Sequence, residues 1–170
     1  MSKSLDLGCA NNPKNPYNAD ELFGIDIFED ISKNIKRADL VLEPIPFGNE
    51  TFDFVTAYDL IEHIPRVIYM PSRRLPFIEL MNEIYRVLKV GGFFYSQTPA
   101  YPHAAAFVDP THVNFISEGT FPLYFCNAVS NPPWGALYGF KGAFAFTKQE
   151  WSGQHLLSLM QKIEVSAPPQ

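Results

Sequence analysis

The chain has little cysteine. Cys9 and Cys126 are the whole complement, and they stand in no Cys-x-x-Cys or Cys/His spacing, which leaves the sequence no disulfide framework and no zinc-ligand pattern. Reduced thiols are the expectation. Long apolar runs are missing too: no window approaches the roughly eighteen uninterrupted apolar residues of a membrane helix, and the N-terminus lacks a basic stretch followed by an apolar one. A cytoplasmic protein is expected. Lys and Arg number 13 against 18 Asp and Glu, for a net charge of −5, and no dense basic run offers a footprint for a phosphate backbone, so nucleic acid is not the expected substrate. No His/Cys/carboxylate group shows ligand spacing along the chain, so no metal is expected. After Gly8 come Cys9, Ala10, Asn11 and Asn12, not the Gly-x-Gly-x-x-Gly that cradles a pyrophosphate.

What is present reads as one α/β domain. In 170 residues, 46% are hydrophobic, enough for a single buried core. Leu5 to Gly8 is apolar around Asp6, as in a strand buried on both faces. Further strands are expected over Leu22 to Ile27, Ala38 to Leu42, Phe52 to Tyr58 and Phe93 to Gln97, with a short amphipathic helical turn over Phe28 to Ile35. Between Pro76 and Lys89, Phe77, Leu80, Met81, Ile84, Tyr85 and Leu88 recur at helical spacing, and Gly91-Gly92 reads as the stop signal. Pro13 and Pro16 shorten or remove the crossover helix after the first strand. Beyond Pro99 the pattern is irregular, with a short helix around Ser117 to Phe125, a strand over Ala143 to Thr147, and an element of ambiguous period over Leu156 to Val165. Strands alternating with helices imply a Rossmann-like, mostly parallel sheet with helices on both faces. Fifteen prolines and 15% aromatics, the aromatics concentrated between Phe93 and Trp151, mark the second half as the part that sets specificity.

Chemistry gathers at two strand ends. Gly8 closes the first strand in a turn that lets a ligand approach the backbone, and Asp26 ends the second, where a carboxylate accepts hydrogen bonds from ribose hydroxyls. A nucleoside without phosphates fits this pair. Past Pro99, the run Asp109-Pro110-Thr111-His112-Val113-Asn114-Phe115 brackets a histidine whose ordinary pKa suits proton removal. His112 is the candidate base in preference to His103; the alternative is that it pins the loop through Asp109. Cys9 reads as a small buried apolar residue. Arg66, Arg73 and Arg74 either meet an anionic substrate or lie on a solvated loop.

With Leu5-Asp6-Leu7-Gly8-Cys9, Gly24-Ile25-Asp26, Ala38-Asp39 ahead of Phe52-Asp53-Phe54-Val55, and Glu83 to Lys89 before Gly91-Gly92 in that order, the chain resembles the class I S-adenosylmethionine-dependent methyltransferases over Leu5 to Pro99. The resemblance implies S-adenosylmethionine as cofactor, with residues 1–99 holding it and residues 100–170 facing a small-molecule acceptor, a saccharide or another metabolite hydroxyl or carboxylate. It places Asp6, Gly8, Cys9 and Ala10 along the methionine portion, and Asp26 with Ile27 at the ribose. Asp39 and Leu40 fall at the adenine edge, Tyr58 beside the sulfonium, and His63 in the Glu-His pair just past the fourth strand. Ala10 stands where the family usually has a second glycine, and the segment before the first strand is too short for the helix that usually caps the cofactor. A non-catalytic cofactor-binding scaffold is therefore the alternative, and a nicotinamide or nucleotide-sugar enzyme a third reading that the missing phosphate cradle disfavours.

Overall fold

A computed structural model describes residues 1–165. Seven strands form one sheet: β1 (Lys3–Leu7), β2 (Glu21–Asp26), β3 (Ile35–Arg37), β4 (Phe52–Tyr58), β5 (Leu88–Pro99), β6 (Phe144–Ser152) and β7 (His155–Lys162), in the order β3-β2-β1-β4-β5-β7-β6. Neighbours from β3 through β5 pair in parallel, and β7 runs antiparallel to both β5 and β6. The strand order reverses between β1 and β4, which opens a crevice at their carboxyl ends. Among the described residues, no helix is long and apolar enough to cross a membrane.

Helix α1 (Pro76–Val87) follows the expected period. Pro76 sits in its first turn, where the missing N–H costs nothing, and Arg86 lies in its last, favourable to the helix dipole. Phe77, Leu80, Met81, Ile84 and Val87 are buried in one cluster with Leu5, Val55 and Phe94. A short helix α2 (Ala105–Val108) follows β5, and α3 (Thr120–Tyr124) adds Phe121, 6.2 Å centroid to centroid from Phe94. On the other face, Tyr17 stacks on Phe54 at 4.3 Å. No helix stands between β1 and β2; an extended segment containing Pro13 and Pro16 takes its place, as those two prolines imply.

Several boundaries differ from those expected. The turn over Phe28 to Ile35 shrinks to a 3₁₀ turn at Ile31–Lys33, because Asp30 and Ile35 exchange two backbone hydrogen bonds of 3.0 and 2.9 Å and close it. The third strand precedes Ala38, since Asp39 accepts the Val41 N–H at 3.0 Å on its side chain and the Leu42 and Glu43 N–H groups on its carbonyl, folding 39–43 into a turn. Gly91 and Gly92 do not stop α1. They lie inside β5, where the register against β4 shifts between Phe52 and Phe54. A Cβ on Gly92 would lie 2.9 Å from the Asp53 and Lys89 carbonyl oxygens, so the bulge requires glycine. The ambiguous last element is β7, whose alternating burial shows the two-residue period of a strand.

Gly24 is a second position where space decides the residue. A Cβ there would lie 2.5 Å from Cys9 Sγ and 2.9 Å from Pro13 Cγ. Gly24→Ala is expected to destabilise the fold by about 1–3 kcal/mol through overpacking, read as a lowered melting temperature; an unchanged melt contradicts the tight packing of the Cys9 turn on β2.

Candidate active site

The β1 turn is built by backbone. Gly8 takes φ +64°, and the Gly8 and Cys9 N–H groups both donate to the Ile25 carbonyl at 2.9 and 3.1 Å, tying the turn to the end of β2. Asp26 completes the tie. Its Oδ2 accepts the Ala10 N–H and its Oδ1 the Ile27 N–H, each at 2.8 Å. Each oxygen keeps a second lone pair, so the carboxylate is oriented and still able to accept from two hydroxyls. Ile27 beside it is 72% exposed, an apolar side chain presented next to a charged one. Leu40 is half-buried behind Asp39.

Asp6 has a different situation. It is 2% exposed, and its oxygens accept from Thr56 Oγ1 at 2.7 Å and the Lys14 N–H at 2.8 Å. Burial pushes its carboxyl up, against those hydrogen bonds. Its carboxylate fastens the Pro-rich segment to β1 and β4. Cys9 is buried, and its thiol is pushed up to about 11 by burial first and then by the Asp6 and Asp26 charges, so it stays a neutral packing residue. Tyr58 ends β4 with Lys14 Nζ 3.8 Å above its ring, and burial and Tyr95 push its hydroxyl up to about 12. The ring thus presents a face that attracts cations.

The second group lies just past β4. Ile61–His63 form a 3₁₀ turn, onto which the 109–115 loop is clamped: Val113 and Asn114 N–H donate to the Glu62 carbonyl at 2.9 Å each, and Asn114 Nδ2 to the Ile61 carbonyl at 3.0 Å. Arg66 Nε donates to Asn114 Oδ1 at 2.8 Å, and its Nη2 to the Phe115 carbonyl. The clamp brings His112 against His63, ring centroids 4.8 Å apart. Asp109 Oδ2 lies 3.9 Å from His112 Nε2, and its carboxyl is held low mainly by the Thr111 hydroxyl. Asn114 is 1% exposed, so Asn114→Ala, which removes the buried side-chain bonds to the Ile61 carbonyl and from Arg66 Nε, is expected to cost about 1–3 kcal/mol. Thermal melts check it, and a loss near zero contradicts the clamp.

The sequence marked Glu62 only as the acid of the Glu-His pair and gave it no role. It is 1% exposed, with Oε2 accepting from Thr98 Oγ1 at 2.7 Å, and burial raises its carboxyl pKa. Glu62, His63 and His112 each offer a ligand atom within 4.8 Å of the other two. The ground for expecting no metal therefore fails: linear spacing gives no sign of a cluster that forms when the loop folds back onto the turn. The one hint was an acid beside a histidine directly after an apolar strand. His103, by contrast, packs edge-on to Trp151 at 4.7 Å, and Arg74 pairs with Glu79 at the start of α1.

A cleft of about 400 Å³ lies on the far side of Arg66, with Leu75, Phe77, Leu123, Tyr124 and Tyr138 in its wall. It contains neither Asp26 nor His112. Arg66 joins it to the 109–115 loop.

A family model described as a methyltransferase domain matches residues 5–96. The chain belongs to that family. Its cofactor is S-adenosylmethionine. Solved structures of the same fold include a chain of the complex between the Haloferax volcanii Trm112 methyltransferase activator and a proposed methyltransferase, at TM-score 0.62 and 14% identity over 96% of this chain and 83% of that one. An S-adenosylmethionine-dependent methyltransferase from Mesorhizobium loti gives 0.59 and 14% over 94% and 90%, and one from Archaeoglobus fulgidus 0.59 and 15% over 95% and 86%. At such identities the likeness is one of fold. No curated protein matches the sequence significantly. The residues present fit the cofactor: a glycine turn whose Cβ would lie 2.9 Å from Leu60 Cδ1, an oriented carboxylate for a diol, and an exposed apolar neighbour for a base.

Proposed function

We propose that this methyltransferase acts on a hydroxyl or carboxylate of a small-molecule acceptor, a saccharide among the candidates, activated at the group formed by Glu62, His63 and His112. Bound S-adenosylmethionine supplies a methyl group already activated by its sulfonium. The chain's part is to orient both partners and exclude water. Asp26 would hold the ribose, Asp39 and Leu40 would flank the adenine, and Gly8 to Ala10, with Tyr58, would border the methionine portion; Asp6 would act by fixing the turn.

One observation carries the placement of the acceptor. Leu60, against which Gly8 is packed, is separated only by Ile61 from Glu62, so the two groups of residues share one strand end. The apolar wall of the neighbouring cleft suits an acceptor with an apolar portion. The test is methyl transfer from radiolabelled S-adenosylmethionine across a panel of small hydroxyl and carboxylate compounds. Product from one class supports the reading, and adenosylhomocysteine binding without turnover on any compound favours the non-catalytic alternative.

A further inference from the structure

Two atoms in the Glu62–His63–His112 group are buried and unpaired. Glu62 is 1% exposed and the His112 side chain 10%, yet among the described residues Glu62 Oε1 and His112 Nδ1 have no hydrogen-bond partner. A buried polar atom left without a partner forfeits its hydration with nothing in return. Two orphans in one place call for one shared occupant.

The other polar atoms of the three residues are turned outward. Glu62 Oε2 is occupied by Thr98 Oγ1 at 2.7 Å, which leaves Oε1. His63 Nδ1 lies 3.0 Å from Thr111 Oγ1, which leaves Nε2. His112 Nε2 faces Asp109 Oδ2 at 3.9 Å, which leaves Nδ1. Each of the three side chains thus has one atom turned to an outer partner, hydrogen-bonded for Glu62 and His63 and facing a carboxylate at 3.9 Å for His112, and one atom left over, the arrangement in which outer contacts orient metal ligands.

We propose that Glu62, His63 and His112 bind a first-row divalent cation. Two imidazoles and one carboxylate suit Zn²⁺, Fe²⁺, Co²⁺ or Mn²⁺, whereas Mg²⁺ and Ca²⁺ seek oxygen ligands. Tetrahedral bonds of about 2.0–2.2 Å hold ligand atoms about 3.4 Å apart, and the three ligand atoms here already lie within 4.8 Å of one another. Three protein ligands leave a coordination position open, and an acceptor oxygen is the occupant that gives the site a role. That role rests on the acceptor being activated here. The site itself rests on geometry alone.

The test is titration of untagged protein with Co²⁺, read by its visible d–d absorption, with Zn²⁺ as competitor. One Co²⁺ per chain with a spectrum distinct from the aqueous ion is expected. Glu62→Gln and His112→Ala should each abolish the band, His103→Ala should leave it, and Asp109→Asn, which removes only the outer partner's charge, should weaken binding about tenfold or more. Absence of the band, or a band unchanged in His112→Ala, overturns the proposal. Adenosylhomocysteine binding in the same samples keeps the outcomes apart: loss of cobalt binding alone removes the cation, and loss of cofactor binding alone removes the methyltransferase reading.

Discussion

His112→Ala is expected to lower turnover about a hundredfold or more while leaving adenosylhomocysteine affinity nearly unchanged. Groups that move or stabilise a proton at the reacting atom contribute on that scale to rate and nothing to a product held elsewhere. The same loss follows whether the imidazole takes the proton itself or holds the cation that acidifies the acceptor. The competing role is mechanical. His112 is largely buried and lies 3.9 Å from Asp109 Oδ2, so a residue that only pins the loop would, on truncation, cost about 1 kcal/mol of stability and raise the acceptor Michaelis constant. Asp109→Asn would then match it. Paired melts and kinetics separate the two. Equal stability losses with turnover intact exclude any chemical role for His112.

Asp26→Ala carries the largest expected effect on cofactor affinity. A carboxylate accepting from two ribose hydroxyls makes charge-assisted bonds worth about 1.5–3 kcal/mol each, so affinity should fall at least roughly tenfold. The structure adds a second reason. Both Asp26 oxygens already fix the Ala10 and Ile27 N–H groups at 2.8 Å, so removing the side chain also loosens the turn after β1 that is proposed to border the methionine portion. Asp26→Asn keeps the shape but exchanges one acceptor oxygen for a donor, and an intermediate loss is expected. Calorimetry with adenosylhomocysteine decides the matter; an unchanged dissociation constant in folded Asp26→Ala protein contradicts the ribose assignment.

The fold of the first half was largely legible because its determinants are local. A strand end, a glycine turn and an acid on the next strand declare themselves within a few residues each, and β4 and α1 followed their periods closely. The third strand was misplaced because the Asp39 side chain and carbonyl capture the backbone after it, and side-chain competition of that kind leaves no mark on hydrophobic period. Gly91-Gly92 misled for a related reason: glycine marks both helix ends and bulges, and only the register against Asp53 distinguishes them. Glu62 was hidden for a topological reason. Its partners Thr98 and His112 reach it from β5 and from the loop beyond, and no linear spacing encodes that meeting.

The most direct test of the account is calorimetric titration of adenosylhomocysteine into the intact chain. The account predicts saturable binding of one molecule per chain, strongly weakened in Asp26→Ala and preserved in His112→Ala. Folded protein that shows no such binding, and binds a dinucleotide instead, would contradict it.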